Sequence, residues 1–495
     1  MADRLDLLAL DLGASSGRAI LGRFTGDRLE LQELHRFENG PVWLPDGLHW
    51  DVLRIWSDVL QGIRLALRAE GVELAGVGLD TWGVDYGLLD ASGALVSNPY
   101  HYRDGRTDGM FAEAFRRVTR EEIFQQTGIQ FIEFNTVFQL LSMVTAQSPA
   151  LEIAETLLTM PDLLNYWLTG QKVCEFSIAT TTQCYDPRKK DWAWPLLEAL
   201  GIPTGIFPRI VPPGTVLGPI APALAEELGA GRVPVIAPAC HDTGSAVAAV
   251  PAEGDDFAYV SCGTWALLGT ELAEPLINAD SLAFGITNEG GVEGTIRFLK
   301  NITGLWLVQE CRRQWQQEGD RLSWDELTQL AAEAEPLRSI IDPDHSDFVK
   351  PGDMPARIRE YCRRTGQPAP ESRGAVLRCA LESQALKQRF VLENIERILG
   401  RRLEPIHMVG GGTQNRLLCQ FTADAANRPV VTGPIEATAI GNLLTQATAL
   451  GYIGSMADGR RIVRNSFEIV TLEPENPSPW DEGYARLLQV MAQAD

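Results

Sequence analysis

The sequence predicts an α/β protein made of two related domains, and three observations support this prediction. The chain has 495 residues, enough for two large domains at about 150 or more residues each. Residues 7–79 show the pattern of strand, hairpin, helix and strand that is typical of layered α/β domains. A second hairpin pattern of similar form begins at residue 257, which indicates a weak internal repeat. We therefore predict domains over residues 1–250 and 251–495.

Composition narrows the class of protein before any motif is considered. Apolar residues make up 45% of the chain and charged residues 22%, which is ordinary for a globular protein. The formal net charge of −22 disfavours nucleic acid and acidic membrane surfaces as partners. No segment has the length and hydrophobicity of a membrane span, and the first residues lack the pattern of a secretory signal.

The cysteines predict a reduced, cytoplasmic protein. There are eight, and none forms a CxxC pair. Cys362 and Cys379 are the two that could approach each other, and we favour two packed thiols over a disulfide because free cysteine is commonly buried.

The first domain opens with an apolar hairpin. Two apolar runs, 7–11 and 18–24, flank a Gly/Ser turn, and a third strand is predicted over 29–36. Apolar residues at helical spacing predict a helix over 51–68, and a buried strand follows over 74–79.

The rest of the chain continues the α/β pattern. Residues 110–170 are mostly helical in pattern, and residues 171–220 are rich in turns. Further strands are predicted over 233–237, 257–261, 265–270, 406–409 and 429–432, and further helices over 241–251, 415–426, 436–450 and much of 323–402.

Four segments carry the small residues that bring backbone N–H groups close to an anion: residues 13–17, 263–264, 410–412 and 242–245. Neither a Walker loop nor a dinucleotide-type GxGxxG turn is present. Each segment alone is typical of an ordinary turn. Two of the segments are hairpin tips of the same form, and a third joins a strand to a helix. Taken together, the four segments therefore predict contacts to phosphate.

Two apparent nucleophile patterns are disfavoured. Residues 13–17 match GxSxG around Ser15, but that motif requires a helix after the serine, whereas a strand follows here. A serine hydrolase therefore remains only an alternative. Cys240 and His241 are adjacent, and on an extended segment their side chains point to opposite faces.

Aspartates at predicted strand ends are the candidate chemical groups. Asp242 lies where a strand gives way to a helix, so it is either an N-cap, which position alone favours, or a proton acceptor at the edge of the sheet. Asp11 ends the first strand and either bonds its own turn or holds a hydrated Mg²⁺. Trp82 and Gly83 follow another strand end and either pack in the core or line a pocket for a polar ligand.

These residues carry a resemblance to the FGGY family of carbohydrate kinases that runs along essentially the whole chain. Its general features are DLGASSGR (11–18), PDLLNYWLTG (161–170), SCGTW (261–265) and VGGG (409–412). More specific agreement lies at 80–85, 102–106, 128–131, 134–136, 241–243, 287–291, 300–306, 341–344 and 433–438. Cys240, Thr413, Ala266 and Thr303 are small departures that leave the chemistry unchanged.

The resemblance implies a fold of two ribonuclease-H-like domains of the actin and hexokinase type, hinged about a central cleft. It implies ATP-dependent phosphorylation of the C1 hydroxyl of a ketose, L-rhamnulose, as part of L-rhamnose catabolism. L-Fuculose and D-xylulose remain alternative substrates. A nucleotide switch of the actin-like class, without sugar-stimulated turnover, is the alternative outside the kinases.

The resemblance also implies roles for individual residues. Asp242 would be the general base, and Gly83, His241, Asp242 and Thr243 would contact the sugar, with Trp82 as the aromatic wall of the pocket. Asp11 would orient Mg²⁺ through water. The ATP-binding residues would be Ala14, Ser15, Ser16, Gly17, Arg18, Thr264, Asn301, Gln309 and Gly411.

Overall fold

A computed structural model describes residues 4–494, which form two compact units of mixed α/β structure. The first unit contains the chain up to Pro251 together with Glu271–Phe298 and Ala437–Ser466. The second contains Ala252–Thr270, Leu299–Glu436 and the residues from Phe467 onward. The units are thus discontinuous in sequence and are not the same division as the contiguous segments 1–250 and 251–495.

A six-stranded sheet forms the centre of the first unit. Its strand order is Thr215–Pro219, Pro234–Ala237, Leu74–Thr81, Leu5–Leu12, Ser16–Thr25 and Arg28–Glu38. Leu5–Leu12 pairs antiparallel with Ser16–Thr25 and parallel with Leu74–Thr81. Leu7, Leu8, Leu10 and Leu12 of the first strand are fully buried, because both faces of this central strand are covered. The predicted hairpin and buried strand are confirmed.

Helices cover the sheet of the first unit. They are Val52–Arg68, Met110–Arg117, Arg120–Thr127, Thr136–Thr145, Pro149–Glu152, Met160–Thr169, Phe176–Thr181, Trp194–Leu200, Pro222–Leu228, Asp242–Ala248, Ala279–Phe284, Ala437–Ala449 and Met456–Ser466. Short strands lie at Pro41–Leu44, Gly47–Trp50, Tyr86–Leu89, Thr156–Thr159, Cys174–Glu175, Tyr185–Asp186, Asp191–Trp192, Ile210–Val211 and Thr287–Gly290. Single 3₁₀ turns lie at Gly105–Thr107, Thr204–Ile206 and Val292–Gly294.

The first long helix illustrates how local sequence specifies an element. Asp51 caps Val52–Arg68 by accepting a hydrogen bond from the backbone N–H of Arg54. Ile55, Val59 and Ile63 recur at helical spacing and are buried. Leu53 belongs to the same apolar pattern but is 65% exposed, because it lies off the buried face.

The second unit repeats the central arrangement of the first. Its central sheet contains, in this order, Ile296–Thr303, Trp265–Leu272, Ala258–Cys262, Ile406–Val409, Val430–Thr432 and Val470–Leu472. Ala258–Cys262 pairs antiparallel with the next strand of its hairpin and parallel with Ile406–Val409. Each unit therefore has a hairpin whose first strand lies beside a later parallel strand.

The remaining elements of the second unit are mainly helical. The helices are Trp306–Gln317, Trp324–Glu333, Met354–Arg364, Arg373–Leu399, Arg416–Ala426 and Ser478–Ala494, with 3₁₀ turns at Ser346–Phe348 and Gly411–Gln414. All eight cysteines are free and buried, including Cys362 and Cys379, so the expectation of two packed thiols is confirmed. Among residues 4–494, no helix combines the length and hydrophobicity that crossing a membrane requires.

Candidate functional site

The candidate base lies at one edge of the first unit's sheet, where three parallel strands end. Leu5–Leu12, Leu74–Thr81 and Pro234–Ala237 run parallel, and the chain continues from the last of them to Asp242. The backbone N–H of Thr81 donates to the carbonyl of Cys240 at 2.9 Å, which extends the pairing beyond the strand ends. Open α/β sheets bind their ligands at this edge.

Asp242 is not the N-cap that position alone favours. His241 occupies the N-cap position of helix Asp242–Ala248, and Asp242 is its first helical residue. The residue before the helix has extended backbone, so the boundary falls one position earlier than the sequence pattern indicates. The carboxyl group of Asp242 therefore remains available for other chemistry.

The two oxygens of Asp242 have different surroundings. Oδ1 accepts from the backbone N–H of Thr243 at 2.6 Å and from the Thr243 hydroxyl at 3.2 Å. Nε2 of His241 lies 3.4 Å from the same oxygen, and the Asp242 side chain is 28% exposed. Within the described part of the chain, the hydrogen bonds of this carboxylate all fall on Oδ1. Oδ2 is the oxygen that can accept a proton.

A buried glutamate holds the segment that carries Asp242. Glu175 Oε2 accepts from the backbone N–H of Cys240 at 2.9 Å and from the hydroxyl of Ser177 at 2.6 Å. The Ser177 hydroxyl oxygen in turn accepts from the backbone N–H of His241 at 3.1 Å. Burial raises the pKa of Glu175 to about 6 although these hydrogen bonds favour its charged form. The sequence carried no signal for Glu175 or Ser177, since their partners lie over 60 residues away.

Close helix packing fixes the other side of this segment. Helix Asp242–Ala248 packs on helix Ala437–Ala449, where a Cβ on Gly441 would lie 1.7 Å from the carbonyl oxygen of Ser245. Only glycine permits this approach. The segment that carries Asp242 is thus held between Glu175 and a helix from a distant part of the chain.

Trp82, Gly83 and Asp85 form a strained turn beside this edge. Trp82 is buried, its ring centroid lies 4.0 Å from that of Trp50, and its indole N–H donates to Asp85 Oδ2 at 3.0 Å. Val84 has a φ of 69°, which is rare for a β-branched residue. A Cβ on Gly83 would lie 3.1 Å from Thr181 Oγ1, so backbone alone fills this position. Strain of this kind is common at ligand sites.

Asp11 faces a second buried aspartate across the sheet. It pairs in register with Arg18 on one side and with Asp80 on the other, and Arg18 Nη1 lies 3.8 Å from Asp11 Oδ2. Asn442 donates to Asp80 Oδ2 at 2.6 Å, while Asp80 Oδ1 is buried without a hydrogen-bond partner among the described residues. Burial first and the Asp11 carboxylate second raise the pKa of Asp80 well above its usual range.

This pair of carboxylates fits Mg²⁺, which takes oxygen ligands and usually only one or two carboxylates with several waters. The orphaned Asp80 oxygen would be satisfied by a bound cation or by its water. No cluster of three or more His, Cys, Asp or Glu suited to a metal occurs in residues 4–494.

The tip of the first hairpin contains the predicted phosphate-binding residues. The backbone N–H of Gly13 donates to the carbonyl of Ser16, and Asn39 donates from its side chain to the carbonyl of Gly13. Gly17 has no room for a side chain, because its Cβ would lie 2.1 Å from the Phe37 ring. The turn places Ala14, Ser15, Ser16, Gly17 and Arg18 beside Asp11, with Ser15 exposed.

The second unit brings together two of its four predicted nucleotide residues. The Thr264 hydroxyl, at the tip of the second hairpin, donates to Gln309 Oε1 at 3.1 Å. Gly411 is exposed and opens the 3₁₀ turn after strand Ile406–Val409, next to Gly410 with a φ of 84°. Asn301 is half-buried on strand Ile296–Thr303.

Comparison with known proteins identifies the family. Residues 7–249 match the N-terminal domain of the FGGY family of carbohydrate kinases, and residues 258–450 match its C-terminal domain. The chain belongs to the FGGY family of carbohydrate kinases. The resemblance on which the site residues were predicted is therefore confirmed, and the protein is a sugar kinase.

Relatives and solved structures agree with this assignment. The kinase is 45% identical over 479 residues to a protein named Rhamnulokinase from Bacteroides thetaiotaomicron, covering 97% of this chain and 98% of the relative. It is 41% identical to a Rhamnulokinase from Oceanobacillus iheyensis, covering 94% and 97%. A gluconate kinase structure from Lactobacillus acidophilus has a TM-score of 0.82 at 16% identity, covering 99% and 98% of the two chains. The two-domain α/β fold is thus the one that these kinases share.

Proposed function

We propose that this kinase transfers the γ-phosphoryl group of ATP to the C1 hydroxyl of L-rhamnulose, giving L-rhamnulose 1-phosphate and ADP. The substrate is supported by relatives named Rhamnulokinase at 40–45% identity over nearly the whole chain. The chemistry is supported by one observation above all, the free Oδ2 of Asp242 at the ligand-binding edge of the sheet. We further propose that the protein acts in the cytoplasm, in L-rhamnose catabolism.

Asp242 acts as the general base in this proposal. Oδ2 accepts the proton of the C1 hydroxyl as that oxygen forms its bond to the γ-phosphorus and the bond to the ADP oxygen breaks. The donors from Thr243 hold Oδ1, so the carboxylate does not rotate away from the sugar. Phosphoryl transfer needs little covalent help from the protein, and positioning of this oxygen is the main contribution of Asp242.

The sugar contacts are proposed for Trp82, Gly83, His241 and Thr243, beside Asp242. His241 and Thr243 are the sequence neighbours of Asp242, and the strained turn at 82–85 belongs to the same unit. The backbone-only surface at Gly83 gives a polyol room to approach main-chain groups. Discrimination among ketoses then depends on hydroxyl groups that these donors and acceptors satisfy.

The ATP contacts are proposed for two hairpin tips and the second unit's glycine turn. Backbone and hydroxyl groups of Ala14, Ser15, Ser16 and Gly17 hold phosphate oxygens, and Arg18 adds a positive charge. Thr264, Asn301, Gln309 and Gly411 serve the nucleotide from the second unit. Asp11, with Asp80 behind it, holds Mg²⁺ through water. When bound, Mg²⁺ neutralises charge on the β- and γ-phosphates.

A coupled assay of ADP release tests the proposal. The purified kinase is given Mg·ATP and L-rhamnulose, L-fuculose, L-ribulose, D-xylulose, D-fructose or glycerol in turn. We expect the highest kcat/KM for L-rhamnulose, and sugar-dependent ADP release roughly 10²–10⁴-fold slower from the Asp242→Asn variant in the same assay. A higher kcat/KM for L-fuculose or D-xylulose would overturn the substrate. ATP binding without sugar-dependent ADP from any acceptor would instead favour a nucleotide switch.

A further inference from the structure

We propose that Arg297 is a positioning residue that sets the tautomer of His241 and thereby orients the catalytic carboxylate. The proposal rests on the proposed role of Asp242 as base. Arg297 is fully buried, and its Nε donates to the carbonyl of Gly290 at 2.8 Å. Its Nη2 lies 3.0 Å from His241 Nδ1 and 3.1 Å from Glu289 Oε2. The guanidinium is thus fixed between a carbonyl, a carboxylate and the ring.

The tautomer follows from the donor inventory of arginine. A guanidinium has N–H donors and no acceptor, so the ring nitrogen that faces it must be the unprotonated one. Nδ1 of His241 therefore accepts from Arg297, and the proton of the neutral ring sits on Nε2. That nitrogen lies 3.4 Å from Asp242 Oδ1. The ring consequently presents an N–H, rather than a lone pair, to the catalytic carboxylate.

Glu289 supports this arrangement instead of competing with it. Its Oε2 lies 3.4 Å from Nδ1, a position from which it could accept a proton on that nitrogen. Burial by itself would raise the pKa of Glu289, but Arg297 and His241 outweigh burial and lower it. The ionised Glu289 therefore pairs with the guanidinium that lies between it and the ring. Asp242, Glu289 and Arg297 are the charged groups that face this ring.

The consequence for Asp242 is that all its donors share one oxygen. The Thr243 N–H, the Thr243 hydroxyl and His241 Nε2 all face Oδ1. The opposite tautomer would turn a lone pair toward that oxygen and repel it. Such repulsion would favour rotation of the carboxylate and loss of the free Oδ2. Arg297 would thus act on the base through His241 without touching the reacting atoms.

The supports of Arg297 and of the base meet on one short helix. The backbone N–H of Gly290 donates to Thr180 Oγ1 at 2.8 Å, and Thr180 belongs to helix Phe176–Thr181. Glu175, the N-cap of the same helix, holds the backbone of Cys240. A Cβ on Gly290 would lie 2.6 Å from the Phe176 ring, so the strand and this helix are in close contact. The two sides of the His241 ring therefore share one anchor.

Nuclear magnetic resonance gives a direct test on the unmodified chain. The protein has six histidines, so long-range ¹H–¹⁵N correlation of ¹⁵N-histidine-labelled protein gives a spectrum of few signals. The His241 signals are identified by their loss in His241→Gln. At a pH where the ring is neutral, we expect the pattern of the Nε2–H tautomer without any sugar or ATP. An Nδ1–H pattern, or a ring that stays doubly protonated up to pH 9, would overturn the proposal.

Two pairs of variants connect the tautomer to turnover. In His241→Gln the amide N–H can occupy the place of Nε2–H, whereas in His241→Asn the amide reaches only the place of Nδ1. We expect kcat of His241→Asn to be at least ~10-fold below that of His241→Gln, a loss on the scale of one misplaced hydrogen bond at a reacting group. Equal kcat values would overturn the proposal, whatever happens to the KM for sugar.

The second pair changes the arginine. Arg297→Lys keeps a donor and a positive charge near Nδ1, and Arg297→Met removes both. We expect the lysine variant to retain the Nε2–H signal and the methionine variant to show a mixture of tautomers. If Arg297→Met does not fold, the tautomer of the unmodified protein and the kcat values of the two His241 variants still test the proposal. Failure of the sugar assay would leave the tautomer result unaffected, so the two proposals fail separately.

Discussion

Asp242 and Asp85 are two aspartates of the same unit with opposite surroundings. Asp242 is 28% exposed and leaves one oxygen free, because its donors all face Oδ1. Asp85 is 1% exposed, and both of its oxygens accept hydrogen bonds. Its donors are Trp50 Nε1 at 2.6 Å, Trp82 Nε1 at 3.0 Å, Gln139 Nε2 at 3.0 Å and the Tyr102 backbone N–H at 3.2 Å.

The difference separates a reactive carboxylate from a structural one. A general base needs a lone pair that no protein donor occupies and that substrate can reach. A buried structural carboxylate instead satisfies donors that would otherwise be left unpaired. Asp85 joins two tryptophans and the loop of Tyr102, so it organises the walls of the proposed sugar pocket. Asp242 is the one of the pair with such an oxygen, as its proposed role requires.

Asp242→Asn should give the largest effect on activity. Asparagine can keep an oxygen toward the Thr243 donors while placing its NH₂ where the free Oδ2 was, so the fold is retained and proton acceptance is lost. We expect kcat to fall roughly 10²–10⁴-fold, the usual scale for removal of a general base. ATP binding by calorimetry and the melting temperature should stay close to those of the unmodified kinase. Near-normal turnover would contradict the assignment.

Asp85→Ala should affect stability more than the chemical step. The substitution leaves the buried indole N–H groups of Trp50 and Trp82 without their acceptor, and each unsatisfied group costs about 1–3 kcal/mol. Some relief comes from removing a buried charge, so we expect a net loss of the order of 2 kcal/mol or more in urea unfolding.

The matched control for Asp85→Ala is Asp242→Ala, which removes only acceptors of the adjacent Thr243. Its unfolding free energy should change by less than about 1 kcal/mol, since a partly exposed polar group can turn to water. Should Asp242→Ala be the more destabilised of the two, the structural and reactive roles would be assigned to the wrong residues.

Asp11→Asn tests the third carboxylate of this edge. The change weakens the proposed hold on hydrated Mg²⁺, so the Mg²⁺ concentration for half-maximal rate should rise about 10-fold, equivalent to about 1.4 kcal/mol. Asp6 provides a control, because it lies on the same strand, is also buried, and pairs with Arg4 and Arg23. Asp6→Asn should leave the Mg²⁺ dependence unchanged. The same Mg²⁺ requirement in both variants would count against Asp11.

The sequence predicted those strands and helices that depend on the local order of apolar and polar residues. The hairpin Leu5–Leu12 to Ser16–Thr25 and the helix Val52–Arg68 follow from runs and spacings of apolar residues, which a reader of the chain can see directly. The strand-to-helix transition before Asp242 was visible for the same reason, although the N-cap is His241 and not Asp242. Motif resemblance then supplied the family, which the comparisons confirm.

The sequence could not predict single polar residues whose partners are distant in the chain. Arg297 meets His241 from 56 positions away, and Glu175 meets Cys240 from 65 positions away. Asn442 meets Asp80 across 362 positions. A lone arginine, glutamate or asparagine has no periodicity, so its burial becomes visible only when the fold is known. The roles proposed for the nucleotide residues of the second unit remain predictions for the same reason.

The last effect we expect is on the pH dependence of stability, because enclosure changes the pKa of a structural acid. Burial raises the pKa of Asp85 to about 6, of Glu175 to about 6 and of Asp162 to about 7. At these three acids the folded chain therefore holds more protons than the unfolded chain between about pH 4 and 7, which outweighs His101, whose pKa burial lowers to about 4. The free energy of unfolding should then fall as pH rises through this window.

Urea unfolding from pH 5 to pH 8 measures this slope, and Asp162→Asn isolates one contributor. Asparagine resembles the protonated acid and can still accept from the backbone N–H of Glu175, which donates to Asp162 Oδ1 at 3.2 Å. The variant should lose roughly 2–3 kcal/mol of the pH dependence between pH 5 and 8, mostly below pH 7, since one pKa unit corresponds to about 1.4 kcal/mol. The variant and the unmodified kinase could instead show the same slope of unfolding free energy against pH, or stability could rise with pH over this range. Either result would show that the buried acids of the first unit are ionised in the folded chain without a loss of stability. The contrast between Asp85 and Asp242 would then rest on hydrogen bonding alone.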